Sequence, residues 1–534
     1  MQIQRIKVPA RRVGGRPASV AVLLGTVMLV SACGDGAGTT ASPGSLVATS
    51  SAGEAAGSNI TMVGQRPGVT PFIQLLSFQG SSLAQLAGVT FTIEPKPGSV
   101  SKPVNVWYSV TALSERAYLS SNQNNFSNQS SLTLPVFGLY AGYANQVTIQ
   151  FQFQDGTTQS LPIDVATDSY VDPSEIYASP TIVQPRAAGS ALGFDFFYMK
   201  SATGSPVVVD TDAQIRWVVP GIANATSTLY QNGEFVIGDP ALPVVYRLLL
   251  DGTQTRSPLG SSTYIEFHHN IDPGNRGLFA EVNAETDGVE NVEATVIEMT
   301  DVGAILDSWN LADILSAYMQ SQGDDSSAFV RPGVDWFHNN STTYDASDNS
   351  IIVSSRENFV IKLDYQTGHI VWILGDPTKY WYTFPSLRAK ALTLAPGGLY
   401  PIGQHALSII SDGSLMLFND GLGSQNEPTG APGGQNRTYS AVSDYSIDAA
   451  SMTATNTWNF DYGQSIYSSI CSSAYEAASQ SILVDYAVAD NGTQARLVGL
   501  DSSHNVVFDF QYATGWCNSS WNAVPIAFDN LQID

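Results

Sequence analysis

The chain has 534 residues, with 23 Lys and Arg against 47 Asp and Glu, a formal net charge of −24 and only six histidines. So acidic a surface repels nucleic acid and anionic membrane, so any anion site must be built locally from a few cations. About 500 residues beyond a leader are also too many for one ordinary core, so more than one domain is expected.

Residues 1–32 read as a signal peptide. Arg5, Lys7, Arg11, Arg12 and Arg16 form its positive region, and an apolar run from Ala18 to Val30 follows, too short for a stable membrane span. Val30-Ser31-Ala32-Cys33 resembles a bacterial lipobox cut before Cys33, which would carry the lipid. Gly34 at the next position fits outer-membrane sorting. The expected location is therefore the cell envelope, lipid-anchored at the outer membrane facing the periplasm, with no other contact with membrane. Removing the five basic residues before Cys33 leaves 18 against 47, near −29. Residues 33–65, the lipidated cysteine and a stretch of Gly, Ala, Ser and Thr, cannot bury a core and read as a flexible tether. Only Cys471 and Cys517 remain after Cys33. In an exported protein two cysteines suggest one disulfide, two unpaired thiols being the alternative.

From 66 to 165 the apolar residues alternate, as in Val89-Thr90-Phe91-Thr92-Ile93 and Gln146-Val147-Thr148-Ile149-Gln150-Phe151. Period-two alternation punctuated by Gly, Pro and Asn predicts a β-sandwich. From 175 to 534 a unit recurs: an apolar strand, an Asp turn, then a strand with Trp or Phe. The copies run through Asp212–Trp217, Leu248–Gly252 (without an aromatic), Asp301–Trp309, Leu363–Trp372, Asp448–Trp458 and Leu500–Phe508. Six copies predict a six-bladed β-propeller, a solenoid being the competing architecture. Val524–Phe528 can supply the closing strand, and a short helix is expected at Leu311 to Gln320. The fold class expected is all-β, a six-bladed propeller preceded by a sandwich.

Within the repeat, His268, His338 and His405 each open a segment leading through a turn into an apolar strand. At the same register in a ring of blades they would converge at the channel mouth, with Arg356 reaching the same place from beyond Ile351–Ser355. Three imidazoles alone would make a zinc site with an open position. A guanidinium beside a divalent cation is unfavourable, whereas beside a tetrahedral oxyanion it forms charge-assisted bidentate bonds. The set suits a sulfuryl or phosphoryl group in transfer, with no metal.

The segments Asp335-Trp336-Phe337-His338-Asn339-Asn340-Ser341, Ser354-Ser355-Arg356, Gly368–Gly375, Gly403-Gln404-His405 and Asp412–Gly421 resemble bacterial arylsulfate sulfotransferases. The resemblance implies a propeller enzyme that moves a sulfuryl group from an aryl sulfate donor to a phenolic acceptor, with no cofactor and no nucleotide sulfate. It places the transiently sulfated nucleophile on His405 and the supporting groups on His338, Arg356 and His268. His269 is the alternative to His268; aligning Ile265–His268 with Asp335–His338 favours the latter. Family members close a disulfide over a few residues, whereas Cys471 and Cys517 lie far apart in this chain. Two readings from other classes compete: a non-catalytic propeller scaffold or binding lipoprotein, and a three-histidine metallohydrolase. Whether the chain acts as a monomer or a homodimer is left open.

Overall fold

The structure, a computed structural model, describes residues 60–121 and 130–534. The leader, Cys33 and nearly all of the expected tether lie outside the described residues. Two sheets form the N-terminal domain: Thr61–Pro67, Ile73–Gln79, Ser130–Phe137 and Leu119–Ser121 in one, and Val104–Ser109, Leu86–Ile93, Ala144–Phe153 and Thr158–Ala166 in the other. Val89, Phe91, Ile93, Val147, Ile149 and Phe151 turn into the shared core as the alternation predicts. Phe91 meets Phe137 edge to face across the two sheets, ring centroids 5.2 Å apart.

Two boundaries differ from expectation. The first strand begins at Thr61, inside the stretch assigned to the tether. Leu531–Ile533 pairs in parallel with Val104–Ser109, so the last residues belong to the sandwich rather than to the propeller. The physical reason is burial: Ile533 is fully buried, and Phe528 packs against both Phe137 and Phe196 at 5.7 and 5.8 Å. The chain end thus stitches the two domains together.

Six sheets of four or five strands make up the rest. Ala523–Ile526 joins Phe196–Met199 in the first sheet, and Thr181–Gln184 joins Val506–Ala513 in the last, so both ends of the domain close the ring. The innermost strands of the second to sixth sheets, and Ala523–Ile526 after them, pack each against the next. Tyr198 and Trp217 of the first sheet meet Phe235 of the second at 5.2 and 5.1 Å. The arrangement is a β-propeller.

The repeated unit is the outer hairpin of each sheet. Asp364 Oδ1 accepts from Thr367 N (2.8 Å) and Asp501 Oδ1 from Ser503 N (2.9 Å), folding the turn back on itself. Trp217, Trp309 and Trp372 then bury against the neighbouring strands. In the third sheet the turn acceptor is Thr300 Oγ1, bonded by Ala304 N, while Asp301 faces Arg247. The helix Leu311–Ser321 starts on Asn310 Oδ1, which accepts from Ala312 N, and buries Leu311, Leu315 and Met319 on one face.

Cys471 and Cys517 are disulfide-bonded, tying the start of the sixth sheet's inner strand to the segment that leads into Ala523–Ile526. A bridge closing so many residues typically stabilises by about 2–4 kcal/mol. Cys471→Ser is expected to lower the thermal midpoint by calorimetry, and a thiol reductant should lower the parent's midpoint but not the variant's.

Candidate active site

The rim is set by where each inner strand begins. His338 immediately precedes Asn339–Asp345, His405 is the first residue of His405–Ile409, Cys471 lies just before Ser473–Glu476 and Trp521 just before Ala523–Ile526. Side-chain amides lock these starts together. Lys200 Nζ donates to Asn270 Oδ1 (2.7 Å), Asn270 Nδ2 to Asn340 O (3.3 Å), Asn340 Nδ2 to Gln404 O (2.8 Å) and Asn522 Nδ2 to Ser472 O (2.8 Å). The three amide bonds each join one sheet to its neighbour and Lys200 reaches from the first sheet to the third, so the side chains above stand on a rigid frame.

His269, His338 and His405 each place a ring nitrogen within 4.8 Å of the others. The third member is therefore His269, where His268 was expected. His268 stands one step behind, its Nδ1 2.9 Å from His269 Nδ1, and joins a second group with Glu293. The slip has a backbone cause. The left-handed residue that re-aims each strand is His269 (φ 58) in the third sheet but His338 (φ 55) in the fourth. Strand register jumps between His268 and Ile271 in one and between Asn339 and Ser341 in the other. Matching Phe-His to Phe-His misplaces the bulge by one residue, which turns the side chain to the opposite face.

His405 is almost fully buried. Its Nδ1 lies 3.0 Å from Gly403 O, and because a carbonyl only accepts, Nδ1 carries the proton and Nε2 keeps a free lone pair. Gly403 has φ 64, and a Cβ there would meet Leu422 O at 2.5 Å, so glycine is required for this carbonyl to reach the ring. Burial, with the charges of Arg356 and His338, holds His405 well below the usual imidazole range, so it stays neutral. Asp420 Oδ2 lies 2.7 Å from the same Nδ1 but off its N–H direction, and neither Asp420 oxygen has an aligned donor. Burial pushes this carboxyl well up, against the pull of Arg356 and His338.

His338 is the opposite case. Burial alone would discharge it, but Glu293 Oε2 and Asp335 Oδ2 both lie 2.7 Å from its Nδ1 and hold it up to about 10. Although burial disfavours its charge, Glu293 is held below the carboxylate range by the three histidines. Burial and the charge of Glu293 push Asp335 up. Burial draws His268 down to about 4 and His269 lower than the imidazole range. The site therefore sets one imidazolium among neutral imidazoles.

Arg356 is buried, pairs with Glu357 through Nη1 (2.5 Å), and donates its backbone N–H to His338 O (3.0 Å). Glu357 Oε2 accepts from Gln425 N and Asn426 N, while Asn426 Nδ2 donates to Asp335 Oδ2 (3.0 Å). One loop thus holds the partners of both cations. Trp521 covers His269 at 5.4 Å between centroids and packs against the Cys471–Cys517 bridge. A cavity of about 640 Å³ lined by Pro71, Tyr170, Tyr177 and Pro220 lies elsewhere, and its one carboxylate, Asp172, is satisfied by backbone N–H groups.

The structure brings His338, Arg356 and His405 near one another and sets Glu293, Asp335, Asp420, Glu357 and Trp521 against them, none of which the sequence motifs singled out. Asp335 and Asp420 sit inside the motifs that carry the resemblance; nothing in the sequence around Glu293 marks it.

The ring nitrogens are close enough together for a zinc ion, but a charged imidazole and a neighbouring guanidinium make the place unfavourable for a divalent cation and favourable for a tetrahedral anion. Fold and site together define a propeller that gathers three histidines and an arginine at one place, both cations paired with carboxylates. Residues 181–521 match the family described as Arylsulfotransferase (ASST), and residues 84–168 match the Arylsulfotransferase Ig-like domain. The chain belongs to the arylsulfotransferase family and is an aryl-sulfate sulfotransferase. The arylsulfate sulfotransferase AssT of Escherichia coli is 27% identical, over 64% of this chain and 73% of its own, and that of Lelliottia amnigena is 22% identical over the same shares. Among solved structures, the β-propeller domain of Cps50 from Myceliophteria thermophila is 11% identical with a TM-score of 0.33, covering 62% of this chain and 88% of its own, a likeness too loose to inform the site.

Proposed function

We propose that the enzyme transfers sulfuryl groups in two displacements through His405. The Nε2 lone pair attacks sulfur, the S–O bond to the aryl group breaks, and the phenolate takes a proton from the free nitrogen of His338. The acceptor phenol then returns a proton to His338 as its oxygen attacks sulfur and the N–S bond breaks. Arg356 offers its fork to the sulfuryl oxygens as charge shifts across them. The observation that carries this reading is the contrast between a neutral His405, its Nδ1 proton fixed by Gly403 O, and a His338 held charged by two carboxylates. Incubation with 4-nitrophenyl sulfate tests it. One equivalent of 4-nitrophenol should appear quickly, and added phenol should restore steady turnover; equal steady rates with and without phenol would refute it. A metal-dependent hydrolase would instead lose activity to a chelator.

The charge states also set a pH dependence. With a donor whose phenol is a poor leaving group, the rate should be level through neutrality and fall as pH rises through about 10, where His338 loses its proton. A fall centred near 6.5 would show that His338 titrates as an ordinary histidine.

We also propose export and lipid anchoring at Cys33. The lipobox-like Val30–Cys33 and the Cys471–Cys517 bridge, a bond of oxidising compartments, support it. Palmitate labelling of the parent but not of Cys33→Ser would bear it out, and equal labelling would refute it.

A further inference from the structure

We propose that Glu293 is the positioning residue that opens the reaction to aryl sulfates of weakly acidic phenols, because its carboxylate, carried over His338 by a bulge, keeps that imidazole a proton donor. The proposal rests on the reading of His338 as the acid that protonates the leaving phenolate. Glu293 belongs to Val289–Met299, a strand two removed from the channel side of its sheet. Its register with Leu278–Thr286 jumps from Val282↔Thr295 to Ala284↔Asn291, so Asn283 alone faces residues 292–294. Glu293 itself takes φ 46, a conformation that glutamate adopts only under constraint.

The constraint is visible. Asn283 Oδ1 accepts from Glu293 N (2.8 Å), and Asn283 Nδ2 donates to Glu266 Oε1 (2.6 Å) and Glu290 Oε1 (3.0 Å). The bulge is pinned in the shape that brings Glu293 Oε2 to 2.7 Å from His338 Nδ1 and 3.9 Å from His269 Nδ1. Asp335 Oδ2 lies as close to the same nitrogen, and a single N–H cannot point at both. The aligned bond goes to Asp335, while Glu293 Oε2 receives none. Asp335 therefore orients the ring, and Glu293 contributes charge. Among the described residues, its carboxylate forms ion pairs with histidines alone. A partly buried carboxylate on strained backbone, whose ion-pair partners are all in the active site, serves the chemistry rather than the fold.

The chemical consequence depends on the leaving group. A nitrophenolate departs readily without a proton; a methyl-substituted phenolate needs one. The test measures the rate of the first half-reaction for wild type, Glu293→Gln and Glu293→Asp across 4-nitro-, 4-chloro-, unsubstituted and 4-methylphenyl sulfates. For Glu293→Gln, the loss is expected to grow along the series, from several-fold with the nitro compound to about 10³-fold with the methyl compound. Glu293→Asp, which restores the charge, should recover much of the shallower wild-type slope. A loss equal across the series would mean a structural role, and no loss would mean no role; either overturns the proposal. If the slope does not change but a sulfated His405 still forms, only the role of Glu293 falls. If wild type forms no sulfated histidine, the reading beneath it falls as well.

Discussion

His405→Ala is expected to lower turnover with any aryl sulfate by about 10⁴-fold or more, as removal of a covalent nucleophile does elsewhere. The protein should stay folded, since His405 contributes one bond to Gly403 O and no apolar anchor to the inner strand, whose neighbours Leu407, Leu415 and Leu417 form the core beneath it. The other imidazoles are poor substitutes. His269 is spent on its contact with His268, and the Nδ1 of His338 is committed to two carboxylates that keep the ring protonated and without a lone pair. Steady-state rates on 4-nitrophenyl sulfate with phenol, beside a melting curve, would check this. Activity within tenfold of the parent would move the nucleophile elsewhere.

Arg356→Lys is expected to cost less but still heavily, a fall of about 10²–10³-fold in kcat, comparable to losing a preorganised donor from an oxyanion site. An ammonium keeps the charge but cannot make two parallel bonds to a sulfuryl group. It also disturbs the support, because Glu357 would lose the Nη1 contact while still held by Gln425 N and Asn426 N, and that loop steadies Asp335 beside His338. Lys379 does not compensate: its Nζ donates to the carbonyls of Arg356 and Glu357, and burial draws it down to about 8. A variant retaining a third of the parental kcat would show that charge alone suffices.

What could be read in the sequence follows from how local its causes are. The outer hairpins were legible because an Asp turn and a buried Trp act within a dozen residues, as at Asp364 and Trp372. His338 and His405 were legible because each stands at the start of an inner strand. The choice between His268 and His269 was not, because it depends on which residue takes the left-handed conformation of a bulge, and Phe-His-His-Asn reads equally well either way. Glu293 was invisible for a stronger reason. It reaches the site from a strand two removed from the channel, through a distortion held by Asn283, and alternation would have counted it as a surface residue. The parallel pairing of Leu531–Ile533 with Val104–Ser109 likewise joins segments more than 400 residues apart, and no local pattern announces it.

If sulfur rests on His405 between donor and acceptor, the intact mass of the protein will show it. Wild-type protein exposed to 4-nitrophenyl sulfate alone, then desalted, should gain the mass of one sulfuryl group. Peptide mapping at alkaline pH, where a sulfonated imidazole survives, should place it on His405, and brief treatment with phenol should remove it. An unchanged mass under conditions of full turnover, or a sulfuryl group on any other residue that phenol discharges at the catalytic rate, would contradict the account.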